Sequence, residues 1–155
     1  MLLFKREGNT MYVFELSAEH TLRDAGNVTL KSDINGVACT RRDGVTLVAF
    51  SHADSVSLQR LTSLPLRLVP LATVSLPALP NLLLFREDLL LVVYYRDIET
   101  HAIVSFRTSD NALTERRVLL DFQAGEYVSD WTLAGDRLVL CNNLISEELR
   151  VYAFT

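Results

Sequence analysis

Gly36-Val37-Ala38-Cys39-Thr40-Arg41-Arg42-Asp43-Gly44-Val45-Thr46-Leu47-Val48-Ala49 is written as two short apolar, β-branched runs on either side of an Asp-Gly pair. Such a pair lets two successive residues take positive φ, which matches the twist of the flanking strands, so the stretch predicts a tight β-hairpin. Further along, Ser55 to Leu61 reads as a third strand and Leu66 to Leu76 as a fourth, interrupted at Pro70. One unit of the chain is therefore four strands joined by short turns.

The plan recurs. Asn81 to Phe85, a turn at Arg86-Glu87-Asp88, Leu89 to Tyr95, Ala102 to Arg107 and Arg117 to Phe122 make another unit. The last unit holds Val128 to Leu133, a turn at Gly135-Asp136, Arg137 to Cys141, and Glu148 to Phe154. In the first unit Gly8 stands only five residues before Val13, so the turn at Glu7-Gly8-Asn9 falls between second and third strands. The first strand of that unit is then missing, and Val28 to Leu30 lies in its fourth. The tally is three, four, four and three strands. Four valines mark the units, in Val13-Phe14-Glu15-Leu16, Val56-Ser57-Leu58, Val104-Ser105-Phe106 and Val151-Tyr152-Ala153-Phe154, at intervals of 43, 48 and 47 residues. A strand unit of this size cannot bury its own apolar face and must stack on its neighbours.

The segments Gly36 to Ala49 and Val128-Ser129-Asp130-Trp131-Thr132-Leu133-Ala134-Gly135-Asp136-Arg137-Leu138-Val139-Leu140 resemble the inner two strands of a blade in a WD-repeat or related β-propeller. The chain departs from the stricter pattern, with no Gly-His pair before the blades and Leu16, Phe106 and Phe154 where a Trp-Asp pair would close the third strand. The resemblance implies an all-β fold of four-stranded antiparallel blades, about three and a half blades of a β-propeller. A β-trefoil or a sandwich is the alternative at this length. The whole chain, 1–155, reads as one all-β repeat domain with incomplete blades at 1–35 and 128–155. Two copies supply twice fourteen strands, enough by count for seven blades.

Composition narrows the class of partner. The chain of 155 residues is 49% hydrophobic with a formal net charge of −4. A chain of this length buries roughly two thirds of its unfolded surface, and its field repels phosphate backbones, so nucleic acid is not expected as a ligand. Leu68 to Phe85 carries no charge, but Pro70, Pro77 and Pro80 interrupt it; interior prolines remove helix hydrogen bonds, so strands and turns are expected there and no membrane span. Cys39 and Cys141 lie far apart and match neither a disulfide framework nor a metal knuckle, which points to thiols in a reducing, cytoplasmic setting. Met1 to Phe4 is too short an apolar run for a signal peptide.

No motif for phosphate binding, nucleophilic catalysis or metal ligation is present, and no cofactor or metal is expected. The candidates for ligand or partner contact are His52, Asp54, Asp97, Glu99 and His101, all between second and third strands, and Trp131 on an inner strand. Convergence of such groups on one rim would make a site; dispersed, they are turn and core residues. The expected function is a non-catalytic protein–protein interaction scaffold, a partial propeller completed by self-association or by another subunit. The alternatives are an enzyme or small-ligand binder using the central channel, and a carbohydrate-binding trefoil.

Overall fold

The computed structural model describes residues 2–95, 101–109, 112–122, 128–142 and 149–154. Among them are fourteen strands: β1 (Leu2–Glu7), β2 (Thr10–Leu16), β3 (Leu22–Thr29), β4 (Gly36–Arg42), β5 (Val45–Ser51), β6 (Ser55–Ser63), β7 (Leu66–Ser75), β8 (Pro80–Arg86), β9 (Leu89–Tyr95), β10 (His101–Ser109), β11 (Ala112–Asp121), β12 (Val128–Ala134), β13 (Arg137–Asn142) and β14 (Leu149–Ala153). They form four antiparallel sheets in simple meander order: sheet I is β1-β2-β3, sheet II β4-β5-β6-β7, sheet III β8-β9-β10-β11 and sheet IV β12-β13-β14. This is an all-β blade-repeat fold, and the separate sheets exclude the trefoil. Among the described residues no helix is long and apolar enough to cross a membrane.

The hairpin at Asp43-Gly44 forms as its sequence requires, with φ of 50° and 77° at the two turn residues. Stacking then follows a fixed order. The first strands of successive units lie side by side, β4 on β8 and β8 on β12, while the last strands form a second line, β3 on β7 and β7 on β11. Sheet I therefore occupies the second to fourth positions of a blade and sheet IV the first to third.

Three apolar cores separate the four sheets. Between I and II lie Met11, Val13, Val28, Val48 and Phe50. Leu47, Ala49, Leu58, Leu90, Val92, Tyr94 and Val104 fill the space between II and III. Leu91, Val93, Ile103, Trp131, Leu138 and Leu140 fill the space between III and IV. Alternate residues of β5 and β9 thus face opposite cores, as the period of two along a strand demands, and their apolar runs are continuous because both faces are buried.

The structural repeat sits beside, not on, the valines. In each pairing of a third strand with a fourth, the register slips at an equivalent place, after Val13, after Leu58 and after Ile103, and β10–β11 slips a second time between Ser105 and Arg107. The slip leaves Ala25, Leu71 and Leu119 as the extra residues of β-bulges, which bend the outermost strands. Pro70 stands next to one bulge, on an edge strand, where its missing N–H is tolerated. In sheet IV, Leu149 opposes Cys141 as Leu58 opposes Ala49 and Ile103 opposes Val93, each four residues past the first of its strand. The equivalent positions are Val13, Leu58, Ile103 and Leu149, at intervals of 45, 45 and 46 residues. Val56, Val104 and Val151 are offset from them by one or two residues.

Specific contacts lock neighbouring sheets. Gly36 opens β4 where it crosses β8, and a Cβ there would lie 2.3 Å from the Asn81 carbonyl oxygen. Only glycine fits that approach without backbone movement. Arg42 and Arg86 close the first strands of sheets II and III. Arg42 donates to the Thr108 carbonyl at 2.8 Å, and the Arg86 guanidinium stacks 4.0 Å from the Phe154 ring centre. Each therefore ties its sheet to the next.

Candidate functional site

A cavity of about 850 Å³ opens between sheets I and II, lined by β3, the connector 30–35, the β5–β6 turn and β6–β7. It does not lie on the inner line of β4, β8 and β12, where the central-channel alternative would put it. Phe50 and Leu58 give it apolar surface, and Asn27, His52, Ser57, Gln59 and Thr73 give it polar groups.

His52 is the hub of this groove. Its Nε2 lies 2.8 Å from Ser57 Oγ, and its Nδ1 lies 3.0 Å from the Asp33 carbonyl oxygen and 3.2 Å from Ser32 Oγ. A carbonyl can only accept, so Nδ1 carries the proton and Nε2 accepts from the Ser57 hydroxyl. The Gln59 amide donates to the same hydroxyl oxygen at 3.5 Å. Asn35 Nδ2 donates to the His52 carbonyl at 3.2 Å, and Arg6 donates to the Ile34 carbonyl at 2.5 Å and to Asp33 Oδ1 at 2.9 Å. The connector between sheets I and II is thereby held from both sides. Chemically, a buried hydroxyl aimed at a correctly protonated imidazole is the local geometry of a nucleophile and its base.

His101 has a separate environment. It is only 1% exposed, its Nδ1 accepts the Val128 N–H at 3.1 Å, and its ring meets Tyr95 edge-on with centroids 4.2 Å apart. The proton received from Val128 means that this Nδ1 carries none of its own. His101 joins the start of sheet IV to sheet III, whereas His52 joins the connector 30–35 to sheet II. Asp54 is exposed and lines the same cavity as His52, and its carbonyl accepts the Leu76 N–H at 2.8 Å. Trp131 is 9% exposed and belongs to the core between sheets III and IV. Asp97 and Glu99 lie outside the described residues. Among the described residues no three of His, Cys, Asp and Glu stand together as a metal group.

Sequence reasoning passed over Ser57, Gln59, Ser32 and Asp33. The one available signal was the spacing of His52 and Ser57 across a turn that the His52 N–H to Ser55 carbonyl bond closes at 2.8 Å. The approach of the connector depends on how sheet I stacks, which no local pattern reports. Cys39, packed against the core between sheets I and II, has its thiol pushed up by burial and stays protonated at neutral pH.

No protein-family model matches the sequence, and no curated protein does. Solved structures do match. A functionally unknown protein from Desulfotomaculum acetoxidans is 19% identical with a TM-score of 0.60, the match covering 94% of this chain and 48% of that one. The dihydro-heme d1 dehydrogenase NirN, solved in complex with DHE, is 14% identical with a TM-score of 0.58 over 98% of this chain and 33% of its own. The computationally designed Ika4 protein is 10% identical with a TM-score of 0.50, covering 98% and 89%. This chain spans less than half the length of the first two, and likeness at such identities concerns the fold alone.

Proposed function

We propose that this chain is a non-catalytic interaction scaffold, a WD-repeat-like partial propeller whose two end sheets are covered by protein, either another subunit or a second copy. One observation carries the proposal. The equivalent positions Val13, Leu58 and Ile103 are 0–1% exposed, whereas Leu149 is 70% exposed. The same apolar position is buried where another described sheet follows and exposed on the last described sheet. Apolar faces left to water favour association. Both larger structural neighbours hold further chain beyond the matched part.

Recovery of the chain from its native host, with chemical cross-links mapped by mass spectrometry, tests this. Cross-links from β1, β2 or β14 to protein are expected, and deletion of Met1 to Leu16 or of Leu149 to Thr155 abolishes them. A chain recovered as a lone monomer, or complexes that survive both deletions, would count against it.

The Ser57–His52 geometry favours a second function, a groove that takes a small acyl compound and acts on it through the serine. In that case Ser57 Oγ attacks the carbonyl carbon while its proton passes to His52 Nε2, and the leaving alcohol then takes that proton. A fluorophosphonate probe reports directly: labelling of Ser57 that vanishes in His52→Ala supports the activity. An unlabelled Ser57 in folded protein excludes it and leaves the hydrogen bonds as fasteners of the connector.

A further inference from the structure

We infer that the groove between sheets I and II takes an uncharged aliphatic acyl ester, its carbonyl held beside Ser57 by Gln59 and Thr73 and its chain laid along β7 toward Leu68 and Leu66. The inference rests on the Ser57–His52 reading above and names the substrate class of that site.

The repeat supplies its own reference for this position. Val13, Leu58 and Ile103 are equivalent, and the residues on either side of them are Tyr12 and Phe14 in sheet I, Ala102 and Val104 in sheet III, but Ser57 and Gln59 in sheet II. Ala102 and Val104 are 0% exposed and help to fill the core against sheet II. Packing here therefore needs no polar group, yet sheet II sets a buried serine and a half-buried glutamine on a cavity. Thr73 pairs directly with Ser57 across β6 and β7, so the two side chains rise together on one face. Among the described residues the Thr73 hydroxyl has no partner, and the Gln59 amide has only its 3.5 Å contact to Ser57. Two neutral donors thus stand beside the nucleophile, the arrangement that stabilises a developing oxyanion.

The groove is graded along its length. Leu61 pairs with Leu68 four residues along β6 from Ser57, about 13 Å away at the rise of a strand. Leu61, Leu66 and Leu68 pack on the core that holds Val28. Leu66 reaches Gly26, where an added Cβ would lie 3.1 Å from its Cδ2, so β3 and β7 meet at that end. The lining is polar beside His52 and aliphatic beyond it. Lys31, Asp33, Asp54 and Arg67 are all exposed, and Asp33 is taken by Arg6. Neutral His52, Ser57, Gln59 and Thr73 suit an uncharged carbonyl, whereas a carboxylate buried among them would have no cation to pair with. The volume of about 850 Å³ suits a small-molecule site.

Hydrolysis then balances. Ser57 Oγ bonds to the carbonyl carbon as its proton passes to His52 Nε2; the ester C–O bond breaks and the leaving alkoxide takes that proton. Water repeats the sequence on the acyl-serine and releases the carboxylic acid. The Asp33 carbonyl, already accepting from Nδ1, stabilises the imidazolium between the two transfers.

Turnover of p-nitrophenyl acetate, butyrate and octanoate by the full chain tests this, together with calorimetric binding of 2-decanone, an aliphatic ketone that cannot be cleaved. From acetate to octanoate kcat/KM should rise roughly fourfold per methylene. Ser57→Ala should abolish turnover and still bind 2-decanone, and the octanoate anion should bind roughly tenfold more weakly than the ketone. Gln59→Leu and Thr73→Val should each lower kcat by about a hundredfold or more with KM little changed, the wild-type circular dichroism spectrum being the check on folding. A loss confined to KM removes the oxyanion role. Ketone binding without turnover removes the serine chemistry and leaves the ligand class standing. Turnover that does not rise with chain length, in a protein that ignores the ketone, overturns the ligand class and leaves the serine chemistry standing. Neither binding nor turnover in folded protein overturns both.

Discussion

Sheets III and IV differ less in sequence than in surroundings. The central strand β9 is buried on both faces from Leu90 to Tyr94, while β14 alternates exposed and half-buried residues. Tyr152 and Phe154 of sheet IV pack toward sheet III, but Leu149 and Val151 meet solvent. Apolar side chains on both sides of a strand are thus a property of the whole repeat, and among the described sheets only II and III have a described neighbour on each side. Stability in this fold resides between sheets, where stacking removes apolar surface from water.

That contrast sets the expected effects of substitution. Phe50→Ala, in the core between sheets I and II, is expected to cost about 3–5 kcal/mol, and Ile103→Ala about 2–5 kcal/mol, by loss of burial and residual cavity. Leu149→Ala, at the position equivalent to Ile103, should shift stability by no more than about 0.5 kcal/mol in dilute solution. Urea unfolding of the three variants checks this, and equal losses for Ile103 and Leu149 would break the contrast. Gly36→Ala should cost about 1–3 kcal/mol, because β4 and β8 must separate to admit the methyl group. His52→Ala leaves the Ser57 hydroxyl with the long Gln59 contact and the connector without its hub, an expected loss of about 1–3 kcal/mol. Lys5→Ala removes an ion pair with Glu7 whose side chains are 62% and 56% exposed. It should leave the midpoint unchanged, since solvent screens such pairs.

Much of the fold was legible because turns announce themselves. Asp43-Gly44 and Gly135-Asp136 marked hairpins, and the turn at Glu7-Gly8-Asn9 joins β1 to β2. The register of the repeat was less legible. Third strands buried on both faces, such as Ala102 to Phe106, show no alternation, so the valines looked equivalent although Val104 points backward and Val56 forward. The bulges that reveal the true alignment lie in Ala25, Leu71 and Leu119, residue types with no turn signature. For the site, His52 and His101 both stand where a second strand leads into a third, and they bond different segments, the connector 30–35 and the start of β12. Trp131 was legible as either core or contact, and its burial against Leu138 and Leu140 decides for core.

Amide hydrogen exchange, strand by strand and at two protein concentrations, tests most directly that the end faces are junction surfaces. In dilute solution β9 and β10 should exchange slowest and Leu149–Ala153 much faster. Raising the concentration into the associated range should slow β14 and β13 selectively while β9 stays unchanged. Protection of β14 that equals β9 in the dilute monomer, or that stays constant as the chain associates, would contradict the account.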